Sequence, residues 1–140
     1  MTNASRGEVL ARHFASGEGV RVRWRDGTIV QMKFAEDREP PDTWIAPALF
    51  DLQVNGYGGI DFQQDNLTTD ELLLAVRGLR QAGCTRFLLT LVTDEWTRLT
   101  GRLRHLRGLR SQSPELQAAI AGWHLEGPFQ IGRASCRERV

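Results

Sequence analysis

The sequence predicts an α/β protein in which parallel strand–helix units follow a small antiparallel β element. Two observations support this fold class. Residues 19–34 alternate between apolar and charged side chains around an Asp-Gly turn, which is typical of a β-hairpin. From residue 44 onward, three apolar runs are separated by two segments whose apolar residues recur at helical spacing, which is typical of βα units.

The antiparallel element begins at Gly19. Its first strand places apolar and basic side chains on opposite sides (Val20, Val22 and Trp24 against Arg21, Arg23 and Arg25). Asp26-Gly27 is a hairpin turn signal, and residues 28–34 supply the returning strand. A polar linker over residues 35–43 follows.

The first βα unit begins with the apolar run Trp44–Val54, which predicts a strand buried on both faces. Thr68 and Glu71 form a capping-box pattern that predicts the start of a helix. Gly83 supplies its stop. Residues 87–92 then predict the second buried strand.

The second unit contains a helix capped by Thr93 or Asp94 and ended by Ser113-Pro114. Residues 118–125 predict a third strand. Three strands do not close a barrel, since an eight-unit barrel needs about 250 residues. The pattern therefore leaves two architectures open, a small open α/β sheet or the first part of a longer protein.

Composition excludes several classes of protein. Hydrophobic residues make up 41% of the 140 residues and charged residues 25%, as in globular domains. The net charge of +1 does not favour a nucleic-acid or membrane-surface partner. No apolar run approaches the ~20 residues of a membrane span. Cys84 and Cys136 are too few for a disulfide framework, which favours a reducing cytoplasm.

Polar residues lie at the carboxyl ends of two of the predicted strands, which is where functional groups collect in parallel α/β proteins. Gln53 and Asn55 are two residues apart, so their side chains share one side of the strand. They either line a site or form turns into the loop Gly56–Gly59, and their spacing leaves both interpretations open. The glycine loop alone is a weak signal, because it lacks the spacing of a phosphate-binding loop.

Glu126 follows the third strand, and Gly127-Pro128 after it fixes a turn. His124 and Glu126 share one face. A carboxylate in this position can bind a divalent metal or act as an acid or base. A salt-bridged carboxylate at a strand end is the alternative, and the chemistry of these residues alone favours it.

Four stretches, in this order, resemble the N-acetylglucosamine-6-phosphate deacetylase family of the amidohydrolase superfamily. They are Ile45–Gly56 (IAPALFDLQVNG), the loop Gly56–Phe62 (GYGGIDF), Gly83–Leu91 (GCTRFLLTL) and His124–Phe129 (HLEGPF). The last stretch is the most specific of the four. The resemblance covers about residues 20–129.

The resemblance implies a (β/α)8 TIM-type barrel flanked by a small β-sandwich built from both chain ends. Residues 1–45 would contribute to the sandwich, and residues 46–129 would form about the first three strands of an incomplete barrel. Residues 130–140 would be a non-native tail. The longer protein would be a cytoplasmic homodimer acting on a small-molecule amino-sugar phosphate.

The implied chemistry is metal-assisted hydrolysis of an amide, giving glucosamine 6-phosphate and acetate. Glu126 would bind one divalent metal ion, zinc or alternatively iron. Gln53 and Asn55 occupy positions where many superfamily members have a His-x-His pair, and neutral amides are poor zinc ligands. With Gly127 they would line the pocket, and the two amides would hold water and not metal. His124 would pack or hydrogen-bond within the barrel and not bind the metal. Two histidine ligands and the catalytic aspartate would lie on later strands.

The family pattern breaks after Phe129. The tail Ile131–Val140 back-translates to ATC GGA AGA GCG TCG TGT AGG GAA AGA GTG, which resembles a widely used sequencing-library adapter read in frame. We therefore interpret residues 130–140 as adapter-derived, and a natural arginine-rich tail is the alternative. Coding sequence that continues past Phe129 without adapter bases in the raw reads would refute the adapter interpretation. With one metal ligand present, the 140 residues are expected to be inactive.

Two alternatives remain open at this level. One is another amide hydrolase of the same superfamily, with a different acyl-amino-sugar or cyclic-amide substrate. The other is a short α/β protein that binds a ligand or partner without catalysis. The later strands, which would carry the sugar and phosphate contacts, would distinguish the first from a deacetylase.

Overall fold

The computed structural model describes residues 5–35 and 41–127. They fall into two compact units divided between Pro47 and Ala48, two residues after the predicted boundary. The predicted tail 130–140, with Cys136, and the motif residues Pro128 and Phe129 lie outside the described residues.

The first unit is a four-stranded sheet in the order β3-β2-β1-β4. Its strands are β1 (Arg6–His13), β2 (Gly19–Arg25), β3 (Thr28–Phe34) and β4 (Trp44–Ile45). β1, β2 and β3 pair antiparallel, whereas β4 pairs with β1 in parallel. Asp26 and Gly27 have φ values of 51° and 75°, the left-handed conformation that a two-residue hairpin turn requires.

The predicted hairpin is therefore confirmed, and Val20 and Val22 are buried. β1 was not predicted. It contains a glycine, Gly7, that lies opposite Trp24 on β2. A Cβ at Gly7 would lie no more than 2.7 Å from three atoms of the Trp24 ring. The Trp24 ring thus fills the space that a side chain at position 7 would occupy. Because this packing depends on a residue of β2, the sequence of β1 alone does not predict it.

The second unit contains a sheet of three parallel strands covered by helices. In chain order its elements are β5 (Leu49–Val54), β6 (Gly56–Tyr57), β7 (Ile60–Asp61), α1 (Thr69–Gln81), β8 (Cys84–Leu91), α2 (Trp96–Gln112), α3 (Pro114–Ala119) and β9 (Ile120–Leu125). The parallel strands follow the order β5-β8-β9, and β6 and β7 form a short hairpin. The predicted alternation of strands and helices is confirmed, and no barrel closes within the described residues.

The core of the second unit lies between the sheet and its helices. β8 contributes alternating side chains to this core, namely Phe87, Leu89 and Leu91. Each helix adds apolar residues from one face: Leu72, Val76 and Leu79 from α1, Leu99 and Leu106 from α2, and Leu116 from α3. Within the described ranges, no helix has the length and apolar character needed to cross a membrane.

The predicted strand Trp44–Val54 is wrong in two respects. It is divided between β4 and β5, with Pro47 in the connection. β5 is also not buried on both faces, since Leu49 is 62% exposed and Leu52 is 64% exposed. The physical reason is position, because β5 is an edge strand of the three-stranded sheet.

The helix boundaries are partly as predicted. Thr68 and Glu71 form the expected capping box at the start of α1. The N-cap of α2 is Glu95 and not Thr93 or Asp94, because the Glu95 carboxylate accepts hydrogen bonds from the backbone N–H groups of the first turn. Ser113 ends α2 but also caps α3, so residues 118 and 119 are helical and the third strand begins at Ile120.

Candidate functional site at the carboxyl ends of the parallel strands

The structure brings Gln53, Asn55 and Glu126 together at the carboxyl ends of the parallel strands. Nε2 of Gln53 donates a hydrogen bond to Oε1 of Glu126 over 2.6 Å. Nδ2 of Asn55 donates to the same oxygen over 3.1 Å. Glu126 is more than seventy positions from both amides in sequence, yet the three residues form one hydrogen-bonded cluster, which we call the amide–carboxylate cluster.

The chemistry of the groups fixes the orientation of both amides. An ionised carboxylate has no proton to donate, so each amide must turn its NH2 group toward Glu126. Hydrogen bonds to a charged group are stronger than those between neutral groups. Oε2 of Glu126 receives no hydrogen bond from the described residues. One carboxylate oxygen is thus held and the other is left available.

The end of β5 is shaped so that both amides reach the same oxygen. Asp51 accepts a hydrogen bond from the backbone N–H of Gln53 at 2.9 Å, a local contact between side chain and backbone. The pairing of β5 with β8 shifts register between Asp51 and Val54. Val54, which lies between the two amides in sequence, is buried in the core. Because side chains alternate along a strand, Gln53 and Asn55 both point away from the core.

Two contacts with the β8 side fix the backbone around Glu126. The N–H of Glu126 donates to the carbonyl of Leu91 over 3.0 Å, which continues the β8–β9 ladder beyond the end of β9. Gly127 then lies against Thr93, because a Cβ at Gly127 would come within 3.0 Å of three Thr93 side-chain atoms. The buried Oγ1 of Thr93 has no hydrogen-bond partner among the described residues.

Gln63 was not identified from the sequence and ties the loop after β7 to the end of β8. Its Nε2 donates to the carbonyl of Thr90 at 2.9 Å, and its Oε1 accepts from the N–H of Val92 at 3.1 Å. Gln63 is 9% exposed. The side-chain amide thus hydrogen-bonds the backbone of Thr90 and Val92 beyond the last β5–β8 pair, Val54 with Leu89. Gln63 lies between Phe62 and Gln64, and this local sequence gives no signal for such a role.

A buried arginine joins the same loop to the start of α2. The guanidinium of Arg102, with its side chain 2% exposed, contacts Asp65 at 2.6 Å and Asp94 at 3.3 Å. Hydrogen bonds from Arg102, then from Arg98, lower the pKa of Asp65. The pKa of Asp94 is also lowered, chiefly by the backbone N–H of Glu95. Both carboxylates are therefore held in the charged form beside Arg102.

His124 does not join the cluster within the described residues. Its Nδ1 lies 3.5 Å from Oγ1 of Thr90, whose hydroxyl donates to the carbonyl of Leu88 at 3.2 Å. The glycine loop forms the turn between β6 and β7, where Gly58 and Gly59 have φ values of 61° and 85°. It too makes no hydrogen bond to Glu126 in the described part of the chain.

The donor set tests whether a metal ion fits these residues. Across residues 5–35 and 41–127, no group of three or more histidine, cysteine, aspartate or glutamate side chains is placed to hold a metal. A catalytic zinc needs about three protein ligands. Glu126 has the carboxylate chemistry of one such ligand, and the described residues do not supply the others.

The sequence is similar to three curated N-acetylglucosamine-6-phosphate deacetylases. It is 30% identical to the Bacillus subtilis protein over 96 residues, 37% identical to the Danio rerio protein over 86 residues and 34% identical to the Bos taurus protein over 95 residues. These matches cover 61–67% of this chain. The chain spans about a quarter of the relatives, covering 24%, 21% and 23% of their lengths. No family model matches the sequence.

Solved structures of proteins with the same name share the fold. Deacetylases from Pasteurella multocida and Thermotoga maritima match with TM-scores of 0.66 at 20% and 24% identity. A variant of the Mycobacterium smegmatis protein, solved in complex with N-acetyl-D-glucosamine-6-phosphate, matches with a TM-score of 0.68 at 24% identity. Each match covers 89% of this chain and 32–35% of the other. Over the matched residues, the chain is homologous to the N-acetylglucosamine-6-phosphate deacetylase family.

Proposed function

We propose that these residues are part of an N-acetylglucosamine-6-phosphate deacetylase, an enzyme that hydrolyses the acetamide to give glucosamine 6-phosphate and acetate. The observation that carries the proposal is the amide–carboxylate cluster at the carboxyl ends of the parallel strands. In parallel α/β folds this edge is where catalytic side chains collect. The similarity to three curated deacetylases supports the same substrate class.

In this proposal Glu126 contributes one carboxylate ligand to a divalent metal ion, either zinc or iron. The metal would supply a bound water of lowered pKa and polarise the acetamide carbonyl. The other ligands and the catalytic aspartate would lie on later strands of the longer protein. Gln53 and Asn55 line the pocket as neutral amides, which are poor zinc ligands.

Gly127 has a steric role. Its missing side chain lets the segment after β9 lie directly against Thr93. The backbone can then continue from Glu126 without moving the carboxylate away from the two amides. A larger residue at this position would separate the end of β9 from the end of β8.

The same proposal extends to the whole protein. Residues 46–129 would form the first strands of a (β/α)8 barrel, and residues 1–45 part of a small β-sandwich, while residues 130–140 would be adapter-derived. The longer protein would be a homodimer. The sequence of the intact gene tests the assignment of residues 130–140. The molar mass of its product, measured by light scattering, tests the homodimer.

The activity is tested with the product of the intact gene that carries these residues. The purified protein, loaded with zinc or iron, should release acetate from N-acetylglucosamine 6-phosphate, and much more slowly from N-acetylglucosamine without the phosphate. Hydrolysis of another acylated amino sugar or a cyclic amide in preference would contradict the substrate assignment. The 140-residue chain alone should show no turnover above its Glu126→Ala variant.

A further inference from the structure

We propose that Gln53 and Asn55 are positioning residues, which hold the Glu126 carboxylate by Oε1 and leave Oε2 facing the reacting centre. The proposal rests on the proposed function for the meaning of that centre. It assigns the amides a defined task that lining a pocket or holding water does not include. Its evidence is the geometry of the amide–carboxylate cluster and of the backbone beneath it.

The first argument is that both hydrogen bonds end on the same oxygen. Gln53 of β5 and Asn55, the residue directly after β5, reach Oε1 at 2.6 Å and 3.1 Å. Two donors on a single oxygen orient the carboxylate plane and restrict rotation of the terminal torsion of Glu126. No described residue donates to Oε2, so both hydrogen bonds leave this oxygen without a donor among the described residues.

The second argument is that the cluster connects strands that do not pair with each other. β8 lies between β5 and β9, so the side chains span the neighbouring strand. The backbone of Glu126 is fixed to β8 through Leu91, and Gly127 is fixed through Thr93. Glu126 is thus held at its main chain from β8 and at its side chain from β5.

The third argument concerns charge. No arginine, lysine or histidine of the described residues forms an ion pair with Glu126. Two neutral donors restrain the carboxylate without cancelling its negative charge. An arginine in their place would hold Glu126 as firmly but would compete with a cation for it. Neutral amides therefore suit a carboxylate that must still bind a positively charged group.

The test uses the side-chain NH2 resonances of Gln53 and Asn55 in the 15N-labelled 140-residue chain. Each resonance is assigned with the matching alanine variant. Both should have an NH2 proton shifted downfield relative to Gln112, an exposed residue that donates to no described group. Glu126→Ala should return both toward the position of Gln112. Glu115→Ala removes a carboxylate that pairs instead with Arg77 and Arg80, and it should move neither.

A second variant keeps the test decisive if Glu126→Ala disturbs the sheet. Glu126→Gln preserves the length of the side chain and one acceptor oxygen, so both resonances should move part of the way while the backbone spectrum of β8 is unchanged. Gln53→Glu should lower the thermal midpoint more than Gln53→Ala, because it places a second carboxylate beside Glu126.

Resonances of Gln53 and Asn55 that stay in place in both Glu126 variants would overturn the positioning role. Equal midpoints for the two Gln53 variants would do the same. Neither result depends on catalysis, so the deacetylase proposal would stand or fall separately on acetate release by the longer gene product.

Discussion

Glu126 is held by side chains of a strand that does not neighbour its own. The two amides lie at the end of β5 and directly after it, whereas Glu126 follows β9, and β8 lies between these two strands. Such an arrangement depends on how far each strand end projects, since a shift of one residue would turn the side chains to the opposite face. The position of the carboxylate is therefore sensitive to the residues that set the strand ends, Gly127 in particular.

Gly127→Ala should destabilise the second unit. The added Cβ would press on Thr93, and overpacking of this kind costs about 1–3 kcal/mol in the free energy of unfolding. Chemical denaturation followed by tryptophan fluorescence measures the change.

Gly101→Ala provides the matched control, because a Cβ at Gly101 meets no atom within 4 Å and the position is helical. It should be neutral or mildly stabilising. The double variant Thr93→Ala with Gly127→Ala should recover part of the loss, since two of the three crowded atoms are removed. Equal stability of Gly127→Ala and the starting chain would show that the segment after β9 is not fixed by this contact.

The sequence predicted the members of the amide–carboxylate cluster but not its hydrogen bonds. Spacing placed Gln53 and Asn55 on one side of a strand end, and Glu126 at the end of another. The contact between them also depends on the register shift between Asp51 and Val54, which belongs to the pairing of β5 with β8. Gln63 and Arg102 escaped prediction for the same reason, because their partners are distant in sequence.

At the level of elements, α1 begins with a capping box in which both reciprocal hydrogen bonds are formed. Oγ1 of Thr68 accepts from the N–H of Glu71, and the Glu71 carboxylate accepts from the N–H of Thr68 at 2.8 Å. Thr68→Ala should lower the free energy of unfolding by about 1 kcal/mol. Thr69→Ala, one residue into the helix, is the control and should change stability less. A loss that is equal in the two variants would show that capping is not its cause.

Ion pairs of Arg102 with Asp65 and Asp94 connect α2 to the preceding loops. Asp65 and Asp94 have lowered pKa values, chiefly through hydrogen bonds from Arg102 and from the N–H of Glu95, respectively. A carboxylate with a lowered folded pKa stabilises the fold fully above its unfolded pKa, about 3.9 for aspartate. That contribution is lost as the pH falls through the lower folded value.

The denaturation midpoint should therefore fall below about pH 4, and it should fall less steeply in Asp65→Asn. Asp42→Asn alters an exposed aspartate that forms no ion pair within the described ranges, and it should leave the pH profile unchanged. Parallel profiles for Asp65→Asn and the starting chain would contradict a stabilising role for this network.

Element boundaries were predictable where local chemistry sets them. The Asp26-Gly27 turn and the Thr68 cap depend on a few adjacent residues, and both were identified from the sequence. The strand β1 depends on Trp24 of another strand, and the division of residues 44–54 depends on which sheet each half joins. These features are tertiary, so patterns of hydrophobicity along the chain do not contain them.

At the level of the whole molecule, the second unit has an exposed apolar edge. Leu49, Phe50 and Leu52 of β5 are 62%, 46% and 64% exposed, and β5 pairs on one side only in the described part of the chain. Open strand edges and contiguous apolar surface favour association. The 140-residue chain should self-associate as its concentration rises, and Leu52→Lys should reduce this in sedimentation velocity.

Leu74→Lys is the control for that prediction. Leu74 is equally exposed, at 64%, but it lies on the helix α1 and not at a strand edge. Association that falls equally in both variants would implicate general surface hydrophobicity, and a monodisperse monomer at high concentration would contradict the prediction outright.

The central proposal is that Glu126 is a functional carboxylate of a sugar-phosphate deacetylase. The most direct test is acetate release from N-acetylglucosamine 6-phosphate by the product of the intact gene, compared between Glu126→Gln and a Glu18→Gln control. Glu126→Gln should reduce kcat/KM by at least about a thousandfold, as for loss of a group essential to the chemistry, and lower the bound metal content, while the control retains both. Near-normal turnover in Glu126→Gln would contradict the claim.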